Sequence, residues 1–344
     1  MTTGVLLLNF GEPSEATPEA VIPFLERIFL MNAPLESHAA PDAVRARARQ
    51  LAEQRAPGLI DEYNEIGGSP LNEQARQQAD DLARELGRRG HDARVYVAMQ
   101  FADPLIEDVL RRARAEGVER LVALPVYPVC GPSTNVMALE QTRSALGAIG
   151  WDVPLTEVSG WHRHPAYARL RAEGIVRAAE EADVDLSDPA VRLVFSAHGT
   201  PLKYIHAGSR YRDYTEESCQ AIADAAGVEQ FELGYQNHGN RPIEWTKPDI
   251  DEVIKTVAAE AVVVVPVSFM HEQSETLSEL DIELCEEAEE RGLAFLRVPV
   301  PHDEPQFVAI LADLVEAALL RGDGPVELRP CRCRRTADTW CTNG

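Results

Sequence analysis

Gly4-Val-Leu-Leu-Leu-Asn-Phe-Gly-Glu-Pro13 has an echo later in the chain, Arg192-Leu-Val-Phe-Ser-Ala-His-Gly-Thr-Pro201. Each is an apolar run, Val5 to Phe10 and Arg192 to Ala197, that leads into a Gly-x-Pro turn. A second pair repeats in the same order: Glu119-Arg-Leu-Val-Ala-Leu-Pro-Val126 and Glu260-Ala-Val-Val-Val-Val-Pro-Val267. Strands covered on both faces need near-continuous apolar runs, whereas half-exposed strands alternate. Arg94 to Met99, Leu121 to Tyr127, Phe231 to Tyr235, Ala261 to Phe269 and Ala294 to Val300 read the same way. Between them lie helical patterns such as Pro70 to Arg89, where Leu71, Ala75, Ala79, Leu82 and Leu86 recur at helical spacing. Strands alternating with helices predict an α/β fold with doubly wound parallel sheets. The echoes predict two similar Rossmann-like halves joined near 150–165: residues 1–158, residues 159–322, and a cysteine-bearing tail, 323–344.

The length of 344 residues fits two domains, and 45% hydrophobic with 26% charged residues is an ordinary globular balance. Acidic residues outnumber basic ones 56 to 33, a net charge of −23. That excludes a nucleic-acid backbone binder, which needs a basic face, and favours cationic ligands. No run approaches the ~18 apolar residues of a membrane span, and the first residues lack signal-peptide features. A cytoplasmic protein is the expectation. The glycine turns carry neither G-x-G-x-x-G nor Gly-Lys-Ser/Thr, which disfavours nucleotide binding.

Four segments could carry chemistry. His198 ends an apolar strand ahead of a Gly/Pro turn, and open α/β sheets bind ligands outside the carboxyl ends of strands. An imidazole there can act as a base or a metal ligand, or simply bond the turn. After Phe269 come Glu272, Glu275, Glu279 and Glu283, a stripe on one helical face. Stacked like charges gain a helix nothing, so the stripe is either a solvated face or a track for a hard divalent cation. Gln236 to Pro248 is a polar loop whose Trp245 either packs beneath it or offers a wall to a flat ligand. Tyr63-Asn-Glu-Ile-Gly-Gly-Ser-Pro-Leu71, preceded by Arg55, presents backbone N–H groups to an anion, or is a helix entry with Ser69 as N-cap.

Taken together and in this order, these segments resemble the ferrochelatase family over roughly residues 4 to 320. The resemblance implies a porphyrin cleft between the two halves and insertion of Fe(II) into a free-base porphyrin in haem biosynthesis, a lyase reaction. His198 then matches the active-site histidine and Glu275 the carboxylate facing it, both catalytic and both touching Fe(II). Glu272, Glu279 and Glu283 match a metal relay. Phe10, Trp245 and Phe269 match cleft walls, and Arg55, Tyr63 and Ser69 the propionate end of the porphyrin. Gln100 and Gln273 depart from the family, standing where a basic residue and a histidine are expected. Protoporphyrin IX is placed first because Phe24 to Asn32 offers an apolar lip; coproporphyrin III is the alternative. A chelatase for another tetrapyrrole and a non-catalytic haem or iron carrier are the further readings. The partners implied are porphyrin and Fe(II), with peripheral contact at the inner membrane face and a homodimer among the arrangements the family allows.

The tail holds Cys331, Cys333 and Cys341 among basic residues Arg332, Arg334 and Arg335. Clustered thiols in a reducing compartment suggest a metal or redox site rather than disulfides. The family resemblance implies a [2Fe–2S] cluster with Cys130 as fourth ligand. A zinc site and a disordered tail are the competing readings.

Overall fold

The computed structural model describes residues 2–36, 40–237, 243–321, 324–333 and 338–343. Eight parallel strands form two sheets: β1 (Thr3–Asn9), β2 (Ala93–Met99), β3 (Arg120–Pro125) and β4 (Leu155–Val158) in one, β5 (Val191–His198), β6 (Phe231–Gln236), β7 (Ala261–Pro266) and β8 (Ala294–Arg297) in the other. The orders are β2-β1-β3-β4 and β6-β5-β7-β8, so the sheets share one topology. The sequence echoes fall on equivalent strands: β1 and β5 are each flanked by the next two strands of their own half.

Burial explains the composition of the strands. Every residue of β1 is buried, as are Leu193–Ala197 and Val262–Pro266. A fully buried Leu such as Leu6, Leu7 or Leu8 stabilises the fold by roughly 2 kcal/mol relative to an exposed one. The Leu71–Arg88 helix turns Leu71, Ala75, Ala79, Leu82 and Leu86 inward, the face read from its spacing. It packs against the Pro305–Leu319 helix, and Arg89 reaches Asp313 (2.6 Å) and Glu316 (2.7 Å) across that junction.

Several sequence expectations need correction. The third strand of each half stops at its proline, Pro125 or Pro266, rather than running on to Tyr127 or Phe269. β4 was unread because Leu155–Val158 is four residues long and carries a buried glutamate, Glu157. The tail is no appendage: β10 (Thr339–Cys341) pairs parallel with β4 and antiparallel with β9 (Arg329–Pro330), extending the first sheet to six strands. Pro70, not Ser69, is the N-cap of the Leu71–Arg88 helix, although the Ser69 hydroxyl still accepts the Leu71 N–H at 3.2 Å.

Candidate active site

The carboxyl ends of both sheets empty into one cavity of about 1170 Å³. Phe10, Glu12, Phe101, Tyr127 and Val129 reach it from the first half, and His198, Gln236, Ser268 and Phe269 from the second. Phe24, Leu25, Ile28 and Phe29 of the Pro18–Glu36 helix supply an apolar wall, with Phe10 tilted against Phe101 (ring centroids 4.6 Å apart) and Trp245 also lining the cavity.

The backbone on either side of His198 is fixed. Its N–H donates to Ser268 Oγ (2.9 Å), and its carbonyl accepts from the Tyr211 hydroxyl (2.8 Å). The ring Nδ1 lies 2.6 Å from the Gly199 carbonyl, so it carries the proton and donates. Nε2 then faces Glu275 Oε1 at 3.2 Å, a contact that requires a second proton shared between ring and carboxyl. Burial pulls the His198 pKa down. Glu275, its hydrogen bond, the Gly199 carbonyl and Glu279 together outweigh that and raise it above the ordinary value.

Glu275 is held in turn. Gln273 Nε2 donates to its Oε2, and Gln236 Nε2 donates both to the Glu275 carbonyl and to Glu279 Oε2, each at 2.8 Å. Ser196 fixes Gln236 through its other amide atom at 2.8 Å. Glu279 is pushed up to about 8, first by burial and then by the charge of Glu275. Glu283 is also raised, by burial and by Glu62, Asp251 and Glu65.

A glutamate stripe lines the cavity, but it starts one member later than the spacing suggests and is not built as one α-helix. The Ser274–Leu277 helix passes into a π-helical segment, Glu279–Leu284, with Glu283 N–H bonded to the Ser278 carbonyl. A four-residue step overshoots one α-helical turn and falls short of one π turn, so alternating the two keeps every fourth residue aligned. Glu275, Glu279, Glu283 and Glu287 accordingly all line the cavity. Glu272 precedes the helix and lies off the cavity: Arg297 Nη1 (2.8 Å), Thr276 Oγ1 (2.7 Å) and Val300 N (3.1 Å) donate to it.

Of the residues expected at a porphyrin, Phe10, Arg55, Tyr63, Trp245 and Phe269 line the cavity, whereas Ser69 lies behind its wall and bonds Glu12. Among the described lining residues the permanent cations are Arg55, paired with Glu62 at 2.7 Å, and Lys247, paired with Asp249. Gln100 is buried and accepts from the Tyr127 hydroxyl at 3.3 Å.

A ferrochelatase profile matches residues 2–319. A "Ferrochelatase" of Synechococcus sp. is 34% identical over 330 residues, covering 92% of this chain and 82% of the relative. Another "Ferrochelatase", of Geotalea daltonii, is 31% identical, covering 94% and 99%. The chain belongs to the ferrochelatase family. It is a metal chelatase of the lyase class, acting on a porphyrin in haem biosynthesis with Fe(II) as the metal substrate. Two solved chelatases share the fold. CbiX, described as the terminal enzyme for biosynthesis of siroheme in denitrifying bacteria, aligns with a TM-score of 0.52 and 16% identity over 92% of this chain and 99% of its own. The sirohydrochlorin chelatase SirB of Bacillus subtilis, in complex with cobalt, gives 0.51 and 9% over 92% and 95%.

This ferrochelatase-family chain also gathers its tail thiols beside Cys130. Ser159 Oγ lies 3.4 Å from Cys331 Sγ, and the Tyr214 hydroxyl 3.3 Å from Cys333 Sγ. Neighbouring thiols and burial push the Cys333 and Cys341 pKa values up. Among the described residues no three His, Cys, Asp or Glu side chains stand in metal-ligating array. Arg334 and Arg335 lie outside the described residues. Among the described residues no helix is long and apolar enough to cross a membrane.

Sequence reasoning missed Glu12 and Gln236. Glu12 lies just past the carboxyl end of β1 and Gln236 ends β6, and the echo that flags the Gly199-Thr200-Pro201 turn pairs Thr200 with Glu12. The signal was present but read only for fold.

Proposed function

We propose that the cavity receives a free-base porphyrin between the halves 1–158 and 159–322, and that the His198–Glu275 pair, once its shared proton has left to solvent by way of the outer glutamates, accepts the two pyrrole protons as Fe(II) enters. The observation that carries this is the 3.2 Å approach of His198 Nε2 to Glu275 in the wall of a cavity that both halves line. A flat macrocycle hides its nitrogen lone pairs; walls that grip its rim bend it and aim them to one face, using binding energy from the rest of the ligand. The protons released need an acceptor held on that face. His198 is anchored for this by Gly199, Ser268 and Tyr211. Glu275 shares the proton load, and Glu279 and Glu283 offer oxygen ligands leading outward, suited to a hard divalent ion exchanging its waters. Glu272 takes no part in this path, being turned to Arg297.

Protoporphyrin IX remains the preferred substrate. Among the described lining residues Arg55 and Lys247 are few cations for a porphyrin with four carboxylates, and both already have acidic partners. The deciding assay is anaerobic Fe(II) insertion with protoporphyrin IX and coproporphyrin III side by side. The expected result is a higher kcat/KM for protoporphyrin IX; a higher value for coproporphyrin III reverses the assignment. His198→Ala should lose roughly 10²–10⁴-fold in rate while still binding porphyrin. Retained insertion would remove His198 from the mechanism.

Cys130, Cys331, Cys333 and Cys341 are the proposed ligands of a [2Fe–2S] cluster; what supports this is the donor chemistry of four thiols, one in the loop after β3 and three in the tail. Bound there, a cluster would supply a covalent staple between those segments and a one-electron redox centre.

A further inference from the structure

Glu12 is a carboxyl in a turn that does not require one. The matching turn in the second half carries Thr200, also buried, so the turn geometry is met by a neutral side chain. Burying a carboxyl is costly unless its oxygens are well partnered. Those of Glu12 are: it is 5% exposed, on the cavity wall, and receives the Tyr63 hydroxyl on Oε1 at 3.0 Å and the Ser69 hydroxyl on Oε2. Its backbone is clamped by Asn72, which accepts the Glu12 N–H at 3.1 Å and donates to the Glu12 carbonyl at 2.6 Å. All of these partners belong to the first half. The remaining one does not. The Ser274 hydroxyl donates to Oε1 at 2.5 Å, and the Ser274 N–H lies 3.4 Å from each oxygen. Ser274 immediately precedes Glu275. A second stitch runs beside it, from the Glu272 N–H to Gln74 Oε1 at 2.8 Å. The turn bearing Glu275 is thus tied to the opposite half at this point, while Gln236 ties it to its own.

We propose that Glu12 is a positioning residue: its carboxylate fastens the Ser274–Glu275 turn across the cleft and so fixes Glu275 against His198. This rests on the reading of Glu275 as the working carboxylate. The test is anaerobic Fe(II) insertion by Glu12→Gln, Ser274→Ala, Glu275→Gln and the double variant Glu12→Gln/Glu275→Gln, with thermal melting of each. Glu12→Gln should lower kcat at least tenfold with the porphyrin KM within twofold of the parent. The double variant should be no slower than Glu275→Gln alone, because the group being positioned is already lost. An unchanged kcat overturns the proposal, whether or not Tm falls, since that is a fold staple only. A raised KM at constant kcat also overturns it, by making Glu12 a substrate contact. Should Glu12→Gln fail to fold, Ser274→Ala removes only one hydroxyl and must show the same split of kcat from KM; a parental kcat there overturns it equally. Glu275→Gln at the parental rate sinks the reading of the site itself, whereas a slow Glu275→Gln beside a parental Glu12→Gln sinks this inference alone.

Discussion

His162 shows how a buried imidazole makes this fold sensitive to acid. Its ring lies 5.1 Å from that of Tyr214, with Nε2 3.7 Å from Glu217. Burial is the larger effect and outweighs Glu217, pulling the pKa down to about 4. The unfolded chain titrates this group near 6.5, so between those values only the unfolded state binds the proton. Stability is therefore full above pH 6.5 and lost as pH falls through about 4, by roughly 3 kcal/mol at most. His162→Phe, apolar and of similar shape, should flatten the fall of Tm between pH 6.5 and 4.5; parallel curves for parent and variant would count against a neutral His162. At this scale the sequence was legible where a residue ends a recognisable strand, as His198 does, or keeps a helical spacing, as Glu275 does. Glu12 and Gln236 escaped because a buried polar residue is defined by its partners. Those of Glu12 lie 51, 57 and 262 positions away in the chain.

Spacing predicted the glutamate stripe without predicting the element that makes it. The intervals of four gave Glu275, Glu279 and Glu283 a common face, but in one continuous α-helix that face would drift by part of a turn at each step. The π-helical segment Glu279–Leu284 cancels the drift, and no residue pattern announces an i→i+5 bond. Glu272 was assigned to the stripe by the same arithmetic. It misses because the helix starts at Ser274, capped by Gln273 and Thr276 in a reciprocal capping box, and the chain ahead of it is extended. The two kinds of glutamate should separate cleanly in experiment. Glu279→Gln is expected to lower kcat/KM for Fe(II) about tenfold, at the low end for a group assisting proton or metal transfer, with porphyrin KM and Tm little changed. Glu272→Gln should leave kinetics near the parental values and destabilise the protein. Arg297, 12% exposed in its side chain, would keep Asp281 but lose its second carboxylate, at a cost of up to roughly 3 kcal/mol. Steady-state kinetics and melting curves on the pair decide the matter; the reverse pattern would return Glu272 to the metal path.

The fold as a whole was legible because its two halves repeat the same strand order, and two weak patterns in register reinforce each other. The tail has no counterpart in the repeat, so nothing in the sequence set its strands. Their partner is the edge of β4. Cys331 N–H bonds the Thr339 carbonyl (2.9 Å), Ser159 N–H the Trp340 carbonyl (2.8 Å), and the Thr339 hydroxyl Glu157 Oε2 (2.6 Å). Glu157 is fully buried in its side chain, and its other oxygen is held by Arg143 at 2.6 Å. Two separate forces could therefore hold the tail, strand pairing and the thiol site, and they can be pulled apart. Truncation after Arg321 exposes the β4 edge and strips Glu157 of Thr339, so Tm should fall by several degrees. The full-length double variant Cys331→Ser/Cys341→Ser keeps every one of those backbone bonds. Prepared without iron, it should melt within a degree or so of the iron-free parent, and after anaerobic reconstitution it should show none of the visible iron–sulfur absorption expected of the parent. If the serine variant instead melts as low as the truncation, the thiols hold the tail, and the added strands follow from that contact. If the reconstituted parent stays colourless, the strands hold the tail alone, and the four cysteines must be explained without a cluster.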